Sequence, residues 1–239
     1  MRRTSGSGEP PVPTYFRIHH PRFTSLGGLS AFAVQPSSLS QPMPAPIQHL
    51  PKLIDESAER FHFYETHWKK TGLELLARHT GALNGWTLLD YGCGRGETLG
   101  LAAQRGMIAL GTDVDEECVA LSGEHGEARR LEDPHNPALQ FGEDSFDVVT
   151  CFHVLEHVDR PKEVLTALGK IARRYVVVAI PNLRSLPRPK FLRHEPITVN
   201  EGHLQGWDHA HFRNLAEKHC GLRLVAWGHD HCRVPVIGN

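Results

Sequence analysis

The sequence predicts an α/β protein with a Rossmann-like, seven-stranded, mostly parallel sheet and helices on both faces. From residue 86 onward, short apolar runs alternate with segments whose apolar residues recur every three or four positions. A loop with three glycines at alternate positions follows the first of these runs and precedes a helical segment. A composition of 40% hydrophobic and 22% charged residues is typical of a globular domain.

Each strand is predicted from a short apolar or β-branched run bounded by turn-forming residues. The runs are Trp86–Tyr91, Ile108–Thr112, Ala128–Leu131, Phe146–Phe152, Tyr175–Ile180, Leu222–Trp227 and Val234–Ile237. Helical segments separate most of them, and this alternation predicts parallel pairing of the strands.

The helices are predicted from their caps and apolar faces. One helix covers Thr98–Arg105, and the next begins at Asp115 or Glu116 and ends near Ser122. Pro161 suits the first turn of a third helix, and Asp208 suits the N-cap of a fourth. The third helix would present these apolar residues to the core: Val164, Leu165, Leu168 and Ile171.

The chain divides into three predicted segments. Residues 1–47 are rich in proline and serine and are expected to form a disordered or extended arm. Residues 48–84 are expected to form an N-terminal helical segment, which is a candidate lid. Its apolar residues recur at helical spacing: Ile54, Ala58, Phe61, Tyr64 and Trp68. Residues 85–239 are expected to form the cofactor-binding domain.

Bulk properties narrow the class of partner and the compartment. The formal net charge of −1 gives no overall attraction to nucleic acid or to an anionic membrane. No apolar run is long enough to cross a bilayer. The five cysteines form no C-x-x-C pair, which favours a reduced, cytoplasmic setting. A small-molecule substrate is therefore expected, and the sequence leaves the oligomeric state open.

The glycine-rich loop predicts a cofactor site. Asp90 stands at the end of the first predicted strand, one residue before its last position, and Gly92, Gly94 and Gly96 follow. Residues without a Cβ let the chain turn sharply and let its backbone approach a ligand closely. Ligands of open parallel sheets bind at the carboxyl ends of the strands, where this loop begins.

Spacing and charge distinguish the candidate cofactors. A dinucleotide loop has the spacing G-x-G-x-x-G, but Glu97 stands where its third glycine would be. The Asp90 carboxylate would repel a pyrophosphate and attract a sulfonium compound with a free amino group. The pattern therefore favours S-adenosylmethionine (SAM) over NAD.

Four stretches together resemble the class I SAM-dependent methyltransferases, over about residues 70–228. The segment LLDYGCGRGETLG resembles their first motif, and Gly111–Asp115 resembles the end of their second strand. Phe146–Val158 resembles their fourth strand with its following loop, and Val176–Asn182 resembles their fifth strand. The resemblance implies a SAM-binding methyltransferase domain over residues 85–239.

The resemblance also implies which residues contact the cofactor. Asp90 would orient the SAM amino group, Asp113 would accept the two ribose hydroxyls, and Glu132 or Asp133 would reach the adenine amino group. The full set expected at the cofactor is Asp90, Gly92, Cys93, Gly94, Asp113, Val114, Asp133 and Cys151.

Candidate catalytic residues follow the fourth strand: His153, Glu156 and His157. Methyl transfer is an in-line displacement that needs an aligned nucleophile and, for a hydroxyl, removal of its proton. Three interpretations stay open. In the first, Glu156 is only a buried structural residue. In the second, a histidine is the general base, because imidazole exchanges protons near neutral pH, and in the third the cluster holds a divalent metal.

The metal interpretation has support from the resemblance. The coenzyme-Q-type O-methyltransferases and small-RNA 2′-O-methyltransferases carry a similar E-x-x-E-H segment as metal ligands. Here His153 replaces the first glutamate, and His203 stands where those families often supply a further histidine. The candidate metal ligands are His153, Glu156, His157 and His203.

The leading hypothesis is SAM-dependent methyl transfer to a hydroxyl oxygen of a small molecule. Basic residues are concentrated between Leu183 and Gly206. They are expected either to bind an anionic substrate or to form a solvated loop: Arg184, Arg188, Lys190, Arg193 and His194. Two alternatives remain. One is an RNA 2′-O-methyltransferase with a metal site, and the other is a SAM-binding subunit without catalysis.

Overall fold

The computed structural model describes residues 29–36, 58–181 and 202–230. The strands of this part are β1 (Leu29–Pro36), β2 (Thr87–Tyr91), β3 (Ile108–Asp113), β4 (Glu127–Arg130), β5 (Phe146–Phe152), β6 (Ala172–Ile180) and β7 (Leu222–Asp230). Its α-helices are α1 (Ala58–Thr80), α2 (Glu97–Ala103), α3 (Glu116–Ser122), α4 (Ala138–Phe141), α5 (Pro161–Ile171) and α6 (His209–Asn214). A 3-10 turn covers Leu155–His157, and a π-helical turn, Leu215–His219, continues α6.

The seven strands form one sheet in the order β4-β3-β2-β5-β6-β1-β7. The pairs β2–β3, β2–β5, β3–β4 and β5–β6 are parallel. The predicted fold class is therefore confirmed. Strand order reverses between β2 and β5, and the carboxyl ends of these two neighbouring strands mark the place where such sheets bind ligands.

The strand β1 corrects one expectation about the N-terminus. It lies within residues 1–47, expected to be a disordered or extended arm, but over Leu29–Pro36 the chain is paired between β6 and β7. The pairing is antiparallel on both sides, with Val34 opposite Val176 and Leu224. The strand that brings the described sheet to seven strands is thus the N-terminal β1. The strand expected at Val234–Ile237 lies outside the described residues.

The core fills both faces of the sheet. On one face, the predicted apolar positions of α5 pack with buried residues of β5 and β6, such as Val149 and Val176. On the other face, Leu73 and Leu76 of α1 pack against the sheet residues Val148 and Val177. Because the central strands are covered on both sides, their continuous apolar runs are what this fold requires.

Helix starts follow the predicted caps. The Asp115 carboxylate accepts a hydrogen bond from the Glu117 N–H at 2.9 Å and caps α3. Asp208 likewise accepts from the His211 N–H at 2.9 Å and caps α6. Pro161 occupies the first turn of α5. Among the helices of the described ranges, none has the length and apolarity needed to span a membrane.

Candidate active site

The glycine loop is tied to the end of β3. The backbone N–H groups of Gly92 and Cys93 both donate to the Thr112 carbonyl, at 2.8 and 3.0 Å. Gly92 has a φ of +75°, and a Cβ at this position would overlap the Val154 side chain. Both the backbone conformation and the space at position 92 therefore favour glycine.

Gly94 borders open space. Its φ is +55°, and a Cβ built on it would meet no other atom within 4 Å. Its N–H donates to Asp113 Oδ2 at 3.0 Å, which holds the loop beside the end of β3. The space over Gly94 is where a ligand could lie against bare backbone, as a cofactor loop requires.

Asp113 is bonded to the loops on both sides. Its Oδ2 accepts from Gly94, and its Oδ1 accepts from the Asp115 N–H at 3.0 Å. Burial raises the pKa of Asp113, while these backbone hydrogen bonds oppose the rise. A carboxylate oxygen can accept more than one hydrogen bond, so both Asp113 oxygens can still accept hydrogen bonds from ribose hydroxyls. The ribose role stays a prediction.

Asp90 is a buried acid with one unsatisfied oxygen. Thr150 Oγ1 donates to its Oδ1 at 2.6 Å, and the nearby Thr98 hydroxyl also lowers its pKa, but its buried Oδ2 has no partner at hydrogen-bond geometry among the described residues. Burial raises the pKa of Asp90 to about 6, against the opposing effect of the Lys69 charge. A buried acceptor without a partner suits a ligand N–H, such as the amino group of SAM.

The other residues expected at the cofactor occupy different surroundings. Burial raises the pKa of Cys93 to about 12 and raises that of Cys151 well above its usual range, so both are neutral thiols at pH 7. Val114 packs against the core. Asp133 Oδ1 accepts from the N–H groups of His135 and Asn136, at 2.9 and 3.2 Å. Their contacts with a cofactor stay predictions.

His153 directly follows β5 with a strained backbone. Its φ of +57° is unusual for a residue with a side chain. Its Nδ1 lies 3.0 Å from Glu156 Oε1, and its ring packs against Trp68 of α1 at a tilt of 43°, with centroids 4.5 Å apart. Its Nε2 is buried and has no hydrogen-bond partner in the described part of the chain. Strain at a ligand-binding edge is typical of functional positions.

Glu156 is fully buried in the 3-10 turn after β5. Its Oε1 pairs with His153, and its Oε2 is buried with no hydrogen-bond partner among the described residues. Its backbone carbonyl accepts from the Leu204 N–H at 2.8 Å, which brings the segment before α6 onto the site. Burying a carboxylate oxygen without a partner costs folding free energy unless a cation or a hydrogen-bond donor contacts it.

Three of the four candidate metal ligands converge. Ligand atoms of Glu156, His157 and His203 all lie within 4.8 Å of one another. His157 Nδ1 lies 2.9 Å from the Gly202 carbonyl, which leaves Nε2 as its free lone pair. Burial lowers the pKa of His203, so its imidazole is neutral at pH 7. His153 stands outside this group and contacts Glu156 instead.

A buried ion pair lies beside the loop, where no sequence pattern predicts one. Lys69 Nζ of α1 lies 2.7 Å from Glu97 Oε2 of α2, and both side chains are almost completely buried. The two residues are 28 positions apart on different helices, so no local pattern could pair them. The only signal was an acid at position 97, directly after the loop. The basic segment 184–194 lies outside the described residues.

A family model described as a methyltransferase domain matches residues 56–226, which is most of the chain. The chain belongs to this family. The matched range includes the glycine loop, the segment after β5 and α1. The resemblance to the SAM-dependent methyltransferases is thereby confirmed, and SAM is the cofactor of this class.

Two curated relatives share the name ubiquinone biosynthesis O-methyltransferase. The protein of Idiomarina loihiensis is 37% identical over 103 residues, which cover 41% of this chain and 42% of that relative. The protein of Pseudoalteromonas translucida is 31% identical over 121 residues, covering 48% and 51% of the two chains. The chain therefore spans about half the length of these relatives or less.

Solved structures share the fold. A SAM-dependent methyltransferase from Archaeoglobus fulgidus superposes with a TM-score of 0.53 at 22% identity, over 67% of this chain and 73% of that one. A magnesium protoporphyrin IX methyltransferase from Synechocystis with bound SAH superposes with a TM-score of 0.52 at 19% identity, over 71% and 78%. At these identities the likeness concerns the fold alone.

Proposed function

We propose that this domain transfers the methyl group of SAM to a hydroxyl oxygen of a small molecule, with His153 as general base. The observation that carries the proposal is the contact between His153 Nδ1 and Glu156 Oε1, 3.0 Å long, at the edge of the sheet that holds the glycine loop. The name of the curated relatives, which specifies an O-methyltransferase, supports an oxygen acceptor.

The proposed chemistry uses both ring nitrogens of His153. The neutral imidazole keeps its proton on Nδ1 and donates a hydrogen bond to Glu156, which leaves the Nε2 lone pair to accept the substrate proton. The hydroxyl oxygen then forms a bond to the methyl carbon, and the carbon–sulfur bond breaks with its electron pair going to sulfur. The products are the methyl ether, S-adenosylhomocysteine (SAH) and an imidazolium that Glu156 stabilises.

The cofactor is proposed to lie between Asp90 and Asp113. The unpartnered Asp90 Oδ2 supports contact with the amino group, and the open space over Gly94 supports an extended methionine part. Asp113 retains acceptor capacity for the ribose. The anionic character of the substrate, the lid role of residues 48–84, the boundary at residue 85 and the cytoplasmic location stay predictions.

A divalent metal is the second candidate for activating the hydroxyl, as a Lewis acid that lowers its pKa. The spare oxygen of Glu156 and the neutral ring of His203 suit such a cation. The ligand atoms of Glu156, His157 and His203 lie within 4.8 Å of one another, so a small movement of the side chains would bring them to the spacing of one ion. The general base is the first candidate because Glu156 Oε1 is already paired with His153.

The test is a methyl-transfer assay with two probe substrates, catechol and 4-hydroxybenzoate. We expect the wild type to form SAH and a methoxy product with at least one of these probes. The His153→Ala variant should form neither product but should still bind SAH. Activity that survives in His153→Ala would refute the base. Activity that disappears with a chelator and returns with Mg²⁺ would favour the metal site. SAM binding without transfer to either probe, or transfer only to an RNA 2′-hydroxyl, would support one of the two alternative functions.

A further inference from the structure

The buried ion pair of Lys69 and Glu97 joins α1 to the first residue of α2. The contact is 2.7 Å long, and the two side chains are 7% and 3% exposed. Removing two charges from water costs several kcal/mol per ion, so a buried pair is a poor source of stability by itself. Its position directly after the glycine loop calls for another explanation.

A third charged group lies beside the pair. Asp90 is 1% exposed and lies close enough for the Lys69 charge to lower its pKa and for the Glu97 charge to raise it. Among the described residues, the other titratable side chains that interact with Asp90 are Cys93 and Cys151, both neutral thiols at pH 7. Within that part of the chain, the charges that act on Asp90 are therefore those of Lys69 and Glu97.

Asp90 leaves a place for a cation beside the ion pair. Its Oδ2 is buried and has no partner at hydrogen-bond geometry within the described residues. The amino group of SAM supplies a positive charge with N–H donors. If Lys69 were neutral, two buried carboxylates would face each other and one would take a proton.

We infer that Lys69 is a positioning residue of the cofactor site, which holds Glu97 beside the glycine loop and keeps Asp90 charged for the amino group of the cofactor. This inference rests on the proposed placement of SAM against Asp90. It assigns to α1 an electrostatic part in cofactor binding, in addition to its packing on the sheet.

The experiment measures the ionisation of Asp90 in the cofactor-free full chain by carbon-13 NMR of its carboxyl group. We expect Lys69→Met to raise the Asp90 pKa by about one unit or more, the usual effect of losing a close opposite charge. Glu97→Gln should lower it, because the remaining Lys69 charge is then uncompensated. Lys69→Arg keeps the charge and should behave nearly as the wild type.

Lys70→Met is the matched control, since Lys70 is the next residue of α1, is 55% exposed and pairs only loosely with Glu74 at 4.0 Å. It should leave the Asp90 pKa unchanged. Opposite shifts in Lys69→Met and Glu97→Gln cannot come from general loosening of the fold. An unchanged Asp90 pKa in Lys69→Met, or shifts of one sign in both variants, would overturn the inference.

Calorimetric titration with SAH separates this inference from the proposed function. Lys69→Met should bind SAH several-fold more weakly at pH 7 and approach wild-type affinity at pH 9, because Asp90 is ionised there. A loss that is equal at both pH values would contradict the role of Lys69 through Asp90. A wild-type protein that binds neither SAM nor SAH would instead contradict the cofactor placement, while the NMR titration would still decide the role of Lys69.

Discussion

Thr150 and Asp90 lie side by side on neighbouring parallel strands, and the Thr150 hydroxyl donates to Asp90 Oδ1 at 2.6 Å. This bond orients the carboxyl group, whose Oδ2 has no partner at hydrogen-bond geometry in the part of the chain that the structure describes. Because the bond favours the charged form, it partly opposes the rise in pKa that burial causes. The Asp90 carboxyl group is thus oriented as a hydrogen-bond acceptor at the point where strand order reverses.

Cofactor binding should depend on pH through Asp90. In the proposed cofactor placement the Asp90 carboxylate accepts an amino N–H, so binding needs the ionised form, and the Asp90 pKa is about 6. We expect SAH affinity to be constant between pH 7 and 8 and to fall by up to about tenfold per unit below pH 6. Isothermal calorimetry over this range checks the expectation, and an affinity that is flat down to pH 5 would contradict it.

Replacement of Asp90 by asparagine should stabilise the cofactor-free protein while weakening SAH binding. The folded-state pKa of about 6 exceeds the ordinary 3.8, so ionising Asp90 favours the unfolded chain. The stability contributed by the protonated form is full below about pH 4 and is lost as pH rises through 6. At pH 8 the variant should regain up to ~3 kcal/mol, as two pKa units imply.

Urea denaturation of Asp90→Asn and the wild type at pH 5 and pH 8 measures this difference. The gain should be largest at pH 8 and should shrink toward pH 5, where the wild type holds its proton. A variant that is less stable than the wild type at pH 8 would show that the carboxylate is not the destabilising group.

Asp113→Ala should weaken SAH binding by about tenfold or more, because it removes both the proposed ribose acceptors and the bond to Gly94. Asp115→Ala is the control: it removes the cap of α3, which costs about 1 kcal/mol of stability, but leaves the Asp113 carboxylate in place. Calorimetry of both variants compares the two losses. Equal affinity in Asp113→Ala and the wild type would refute the ribose role.

Glu156→Gln should slow methyl transfer without weakening SAH binding. The change preserves size at a fully buried site but removes the charge that stabilises a protonated His153. We expect kcat to fall by about 10²-fold or more, as loss of acid–base assistance does. Glu143→Gln, at an exposed acid that pairs with Lys170, serves as control and should keep full activity. A kcat within a factor of two of the wild type would remove Glu156 from the proton pathway.

The sequence signals sufficed wherever structure is decided locally. The strand Phe146–Phe152, the Asp208 cap and the buried face of α5 all follow from residues within one or two turns of each other. The glycine loop was likewise predictable, because its backbone conformation requires residues without a Cβ. These elements locate the carboxyl ends of the central strands, where the cofactor is proposed to bind.

What escaped prediction depends on contacts between distant residues. The partners of β1 lie about 140 to 200 positions away, and its short apolar run stands in a proline- and serine-rich region. The Lys69–Glu97 pair and the bond from Thr150 to Asp90 join different elements, so no periodicity reveals them. His203 was named from the resemblance, and only the fold brings it to Glu156 and His157.

The strand β1 should be needed for the stability of the sheet, since it joins β6 to β7 and its residues Ala33 and Val34 are fully buried. Val34→Ala would leave a small cavity beside the apolar side chains of both neighbours and should cost about 1–3 kcal/mol. Gln35→Ala, one position along, removes a half-buried residue whose amide oxygen accepts from Arg223 at 2.7 Å, and should cost about 1 kcal/mol or less. Urea denaturation of both variants tests this ranking. If Val34→Ala is as stable as the wild type, β1 is not an integral strand of this sheet.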